Sequence, residues 1–187
     1  AADALLTGCV GLELLTKSDD TFSNAPISAS YLVEDRPGYL GPALAYNGDV
    51  FSLWASLSDV IKQGAASQAP EQYLGDDDSR TRNFVYGMHH RALGIGQAVA
   101  RVIDLSGCDK LADVGGGPGT YSALLTEKHP DLRATVLDLP AVAQIAQEIV
   151  QSMGASSRVS CKAFDYYKDA MLDGYDAALI SGVLHRE

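Results

Sequence analysis

Residues 111 to 142 read LADVGGGPGTYSALLTEKHPDLRATVLDLPAV, and the fold turns on how this stretch divides. Residues 110–114 form an apolar run too short for a helix and suited to a buried strand. Gly115-Gly116-Gly117-Pro118-Gly119 then interrupts the chain. Glycines at 115, 117 and 119 allow a tight turn, keep side chains out of the space above it and present amides at a helix start. Residues 120–128 favour a helix that stops before Pro130, residues 134–137 a second strand, and residues 141–153 a second helix closed by Gly154.

Outward from this stretch the alternation continues, with strands expected at 159–163 and 176–183. Strands alternating with helices imply parallel pairing through right-handed crossovers. The expected class is therefore α/β, a Rossmann-like parallel sheet with flanking helices. Upstream, Phe84, Met88, Ala92, Ile95, Val99 and Val102 recur at helical spacing. Gly87, Gly94 and Gly96 interrupt that helix, each at a cost of about 1 kcal/mol relative to alanine. Close approach of another backbone, of a ligand, or of a packed helix would account for them.

A further stripe of Leu44, Val50, Phe51, Trp54, Leu57 and Ile61 predicts one amphipathic helix over 41–63, capped by Gly64, with Trp54 in the core or at a subunit interface. Residues 64–79 read as a connection between lobes. Within it Asp76, Asp77 and Asp78 are expected to be solvated, because three consecutive side chains cannot converge on one metal ion. The first 15 residues read as a helix end entering a strand, with Leu12, Leu14 and Thr16 turning through Ser18-Asp19-Asp20 to Thr21-Phe22 as a hairpin. Helix followed by hairpin is the tail of a winged-helix unit.

The chemistry lies at the strand ends. A dinucleotide loop has the spacing G-x-G-x-x-G, but the sixth position from Gly115 is Thr120. The spacing here is G-x-G-x-G, with Asp113 two residues ahead, a pattern associated with S-adenosylmethionine; Asp113 can hold the loop or reach the donor's amino group. Asp138 ends the next strand, where a carboxylate can accept both ribose hydroxyls of a nucleoside. Asp165 follows the third strand and can receive an adenine amino group, with Tyr166 or Leu139 against the ring.

Composition narrows the partners. A net charge of -10 over 187 residues argues against a nucleic-acid surface, which needs a basic stripe. The hairpin tip is acidic too, with Lys17 its one lysine. No uncharged apolar stretch of about 18 residues exists, so no membrane span is expected. Cys9, Cys108 and Cys161 are widely spaced and form no metal-binding pattern, which fits a reducing, cytoplasmic setting. Small neutral or apolar molecules remain as substrates, and no metal is expected.

LADVGGGPGTYSALLTEKHPDLRATVLDLPAV, then FDYY (164–167), then DAALISGVLH (176–185), resembles the caffeate and hydroxyindole (acetylserotonin) type of O-methyltransferase and its bacterial natural-product relatives. The similarity covers about residues 80 to 185 and extends weakly through the first lobe. The resemblance implies S-adenosylmethionine as cofactor, S-adenosylhomocysteine as product, and a homodimer. It divides the chain into a helical, winged-helix-like dimerisation and substrate-lid lobe (1–75) and a Rossmann-like cofactor domain (76–187). Gly115, Gly117, Asp138, Leu139, Asp165 and Tyr166 would then hold the donor, with Asp113 and Ser181 beside it. His185 would act as general base, an imidazole of pKa about 6.5 being suited to taking a phenolic proton. Phe84, Met88 and His89 would wall the substrate pocket.

The match has departures. Relatives commonly continue His-Asp-Trp, whereas this chain has His185-Arg186-Glu187 and so no aromatic shelf for adenine after the base. Ser181 stands where many relatives have lysine, and can still offer its backbone. Transfer to nitrogen or carbon, or a non-catalytic binding protein on the same fold, are the alternatives; a nicotinamide-dependent dehydrogenase is disfavoured by the glycine spacing. The chain is expected to be truncated at both ends, part of a protein of roughly 330 to 350 residues, a length taken from the resemblance and from two lobes of ordinary size.

Overall fold

The computed structural model describes residues 1–65, 74–75, 77–170 and 173–184, in two units, Ala1–Gly41 and Pro42–Glu187. In the first unit, helix α1 (Ala2–Gly11) feeds an antiparallel pair, β1 (Leu15–Ser18) and β2 (Thr21–Asn24), with Ser18 opposite Thr21. Asp19 takes a φ of 53° in the two-residue turn, a left-handed conformation that Asp tolerates better than most residues. The hairpin stands where its turn residues predicted it. Helix α2 (Pro26–Tyr31) follows, with a proline in its first turn, where a missing N–H leaves no bond unmade.

The single helix expected over 41–63 is instead three: α3 (Gly41–Asp49), α4 (Phe51–Ala55) and α5 (Leu57–Gln63). Asn47, Gly48 and Asp49 are weak helix formers. The Ser56 hydroxyl donates to the Leu53 carbonyl at 2.8 Å where α4 ends. Most of the stripe is exposed, and the core placement of Trp54 is corrected: it is 69 % exposed.

Helix α6 (Asp78–Val102) begins where a linker was expected to continue. Asp77 is its N-cap, accepting the Arg80 amide at 2.9 Å, and Asp78 lies in its first turn, where the helix dipole favours an acid. Asp76 lies outside the described residues. A Cβ at Gly87 would stand 3.0 Å from the Ala43 Cα, and one at Gly96 would stand 2.6 Å from Leu124 Cδ1. These two glycines are therefore notches for helix packing, and nothing in the structure explains Gly94.

The remaining elements are β3 (Lys110–Val114), α7 (Thr120–Lys128), β4 (Arg133–Asp138), α8 (Pro140–Ser152), β5 (Val159–Ala163) and β6 (Ala177–Ile180). The strands pair in parallel in the order β5-β4-β3-β6, as the alternation implied, so their carboxyl ends share one edge. The strand expected over 176–183 stops at Ile180, and Gly182 turns the chain with a φ of 70°. On one face Leu111, Leu124, Leu125, Val136 and Val150 form the main core; on the other, Ala112, Val114, Leu137 and Phe164 form a smaller one. A third cluster, Val85, Val142, Ile145 and Ile149, joins α6 to α8.

At the rim of that cluster the Arg82 guanidinium grips Glu148 through two bonds of 2.8 and 2.9 Å. The compact units divide between Gly41 and Pro42, whereas the lobe boundary that the resemblance implies falls at 75/76. Among the described residues no helix is long and apolar enough to cross a membrane.

Ile149 is fully buried and its neighbour Glu148 is nearly half exposed, so the two should respond oppositely. In urea unfolding, Ile149→Ala is expected to cost about 2–5 kcal/mol. Glu148→Ala should cost under about 1 kcal/mol, since exposed ion pairs are screened by solvent.

Candidate functional site

Strand β3 delivers the chain to the glycine loop at the centre of the carboxyl edge. The Gly115 amide extends the ladder by donating to the Leu137 carbonyl at 2.8 Å. Gly115, Gly117 and Gly119 then take φ values of 64°, 53° and 71°, so all three glycines of the motif occupy conformations that side chains disfavour. A Cβ on Gly119 would also stand 3.0 Å from methyls of Val136 and Val150, where the loop rests on the core. Around Gly117, by contrast, a Cβ would meet nothing within 4 Å.

Asp138, the last residue of β4, organises the loop. Its Oδ2 accepts the Gly117 amide at 2.8 Å and its Oδ1 accepts the Leu139 amide at 2.8 Å. Leu139 itself packs against the cluster between α6 and α8. Alternation along β3 sends Asp113 to the α7 side of the sheet, where it is 2 % exposed and its Oδ2 accepts the Ser122 hydroxyl at 2.7 Å. Its bond therefore runs to the helix that follows the glycine loop. Burial, with nearby Asp138 adding to it, pushes its carboxyl up to about 6, only partly offset by Ser122.

Asp165 follows β5 and is engaged within its own turn. Its Oδ1 accepts the Tyr167 amide at 3.0 Å and its Oδ2 pairs with Lys168 Nζ at 2.8 Å, which holds the carboxyl below its usual range. Tyr166 is half-buried against Ala112, Val114, Leu137 and Phe164, its ring 4.5 Å from that of Tyr167. Ser181 is exposed just beyond β6, and a side chain on Gly115 would run into Val183. His185, the expected base, lies outside the described residues.

The α6 residues separate into different environments. Phe84 meets the Tyr46 ring edge-on at 5.1 Å and packs on the cluster beneath Leu139. Met88 is half-buried. His89 Nδ1 lies 2.8 Å from the Thr120 hydroxyl, and burial pushes its imidazole down to about 4, with His90 adding to the effect. No group that could hold a metal ion exists among the described residues.

Gly115, Gly117, Asp113, Asp138 and Leu139 are thus joined through the loop. Thr120 and Ser122 were not foreseen as parts of the site; their signal was two hydroxyls in the first turn of the helix after the loop. The structure thus sets the Asp138 carboxylate beside open space at Gly117, with Tyr166 on the cluster of Val114 and Leu137 at the ends of the same two strands.

A family model described as an O-methyltransferase domain matches residues 54–186. The chain is 31 % identical to a 3-hydroxy-5-methyl-1-naphthoate 3-O-methyltransferase of Streptomyces sahachiroi over 98 % of its length and 54 % of that protein's. It is 30 % identical to the N,N-dimethyltransferase OxyT of Streptomyces rimosus, covering 98 % of this chain and 55 % of that one. The structure of the mitomycin 7-O-methyltransferase MmcR superposes with a TM-score of 0.83 at 26 % identity, over 97 % of this chain and 56 % of that chain. The chain therefore spans about half the length of the curated relatives it matches.

The raised carboxyl of Asp113 has a signed consequence for stability. An unfolded aspartate releases its proton near pH 4, whereas folded Asp113 keeps its proton up to about 6. Between these values the folded state binds more protons, so stability falls as pH rises through the window and is level above it. Asp113→Asn should abolish that slope. Relative to Asp113→Asn, wild type should lose on the order of 2 kcal/mol between pH 4 and pH 7 in urea titrations.

Proposed function

The chain belongs to the family of proteins with an O-methyltransferase domain, and on that premise we propose that residues 115–119 and Asp138 hold S-adenosylmethionine for methyl transfer to a hydroxyl. The acceptor is an aromatic or polyketide-like small molecule. The observation that carries this reading is the bond from the Gly117 amide to Asp138, beside open space at Gly117. It sets a carboxylate with further lone pairs at a strand end, where a ribose diol can donate to it.

The residues present fit the donor. Its adenosine part needs acceptors for two hydroxyls and a flat apolar wall, which Asp138 and half-buried Tyr166 supply. Asp165 and Leu139 border the adenine, Ser181 contributes through its backbone, and Asp113 supports the loop from beneath. When bound, the donor supplies an electrophilic methyl on a sulfonium. Phe84 and Met88 wall the acceptor side and orient the hydroxyl toward it. His185 would take the hydroxyl proton, so that the nucleophile need not ionise in advance, and the methyl's bond to sulfur would break to leave S-adenosylhomocysteine.

The same reading extends to the whole protein as a homodimer in the cytoplasm. Its winged-helix-like lobe, residues 1–75, serves pairing and substrate closure. The helix and hairpin of the first unit support the lobe. A second reading, transfer to nitrogen, draws on the relative named as an N,N-dimethyltransferase.

Calorimetric titration with S-adenosylhomocysteine tests the donor site. Asp138→Ala should weaken binding tenfold or more, about 1.4 kcal/mol; an unchanged affinity would overturn the assignment. His185→Ala should lower kcat on a phenolic acceptor by about 10²–10⁴ with the donor KM unchanged. Retention of most activity would favour the nitrogen reading.

A further inference from the structure

Helix α6 touches the glycine loop's helix at two points on one face. His89 Nδ1 lies 2.8 Å from Thr120 Oγ1. Seven residues on, a Cβ at Gly96 would stand 2.6 Å from Leu124 and 2.9 Å from Tyr121. Residues seven apart lie two turns along the same side of a helix, so the contacts fix both the spacing and the axial register of the two helices.

Thr120 is 1 % exposed and is the first residue of α7, directly after Gly119. The N-cap of α7 is that glycine, and no side chain caps it. A helix that starts without a side-chain cap keeps amides for another acceptor, but its first turn must be held from outside. Among the side-chain bonds described here, two do this. Ser122 is tied to Asp113 beneath the sheet edge, and Thr120 is tied to His89 on the opposite helix.

We propose that His89 is a positioning residue for the methyl donor, holding Thr120, and through it the loop 115–119, in the arrangement that receives the ligand. The inference rests on the donor site argued above. It moves His89 from a wall of the acceptor pocket to a support of the cofactor loop. The chain of contacts runs from His89 to Thr120, through the loop to Gly117, and from Gly117 to Asp138. A half-buried imidazole that stays neutral suits this task, since each ring nitrogen keeps one fixed role, donor or acceptor. Removing it leaves a buried hydroxyl without a partner at the point where the loop enters its helix.

The test is the affinity for S-adenosylhomocysteine, measured by calorimetry alongside thermal stability, for wild type, His89→Ala, Thr120→Val, the double variant and His89→Asn. Each single loss should weaken binding roughly five- to tenfold, the effect of one buried hydrogen bond. The double variant should bind no worse than the weaker single variant, because both remove one bond. His89→Asn, whose amide can reach the same hydroxyl, should restore affinity to within about threefold.

Val159→Ala, a core truncation in β5, serves as the stability control. Variants with lowered melting temperature and affinity within twofold of wild type would overturn the proposal. So would a loss that Val159→Ala reproduces at matched stability, or losses that add in the double variant. A wild type that does not bind would overturn the donor reading and this inference with it, whereas a binding wild type with equally binding variants overturns this inference alone.

Discussion

The bond from the Gly117 amide to the Asp138 carboxylate, 2.8 Å long, is the constraint around which the second unit is arranged. It joins the turn after one strand to the end of its parallel neighbour, and it exists only if β3 and β4 pair with Val114 opposite Leu137. A shift of one residue would turn Asp138 to the other side of the sheet and remove the acceptor. The glycines are required by the same arrangement. Positive φ at 115, 117 and 119 bends the loop over the sheet edge, and Gly119 leaves room for Val136 and Val150 beneath it.

Beneath the loop lies a group whose placement is costly on its own. Asp113 is buried at 2 % exposure, one hydroxyl satisfies part of it, and its carboxyl titrates near 6. Burying a carboxylate is unfavourable unless hydrogen bonds compensate it, and here the compensation comes from Ser122 on the helix that follows the loop. The outcome is a short polar link between strand and helix on either side of the glycines, with Gly117, where a Cβ would meet nothing within 4 Å, between them. Rigidity at both ends and open space in the middle suit a loop that must meet a ligand without rearranging.

Helix α6 plays a complementary part. It packs on α8 through Val85 and the Arg82–Glu148 fork, and on α7 through His89 and Gly96. Its glycines at 87 and 96 are thereby explained by backbones and side chains that come close, and the apolar stripe traced through Phe84 is one margin of this packing rather than its centre. The same 25-residue helix therefore sets the positions of both crossover helices that flank β4.

The sequence by itself determined the parallel α/β order, the glycine turn, the strand-end acids at 113 and 138, and the hairpin around Asp19-Asp20. Each rests on local chemistry: apolar runs of strand length, glycine where φ is positive, proline and glycine at helix ends. Tertiary structure decided what local pattern leaves open. The stripe from Leu44 to Ile61 has helical spacing, yet three helices form and Trp54 stays exposed, because periodicity counts apolar positions without saying what covers them. β6 ends at Ile180 although apolar residues continue, since Gly182 turns the chain where the loop at Gly115 comes close to Val183. The partner of His89 is a hydroxyl 31 residues away, and only the docking of one helix on another brings the two together.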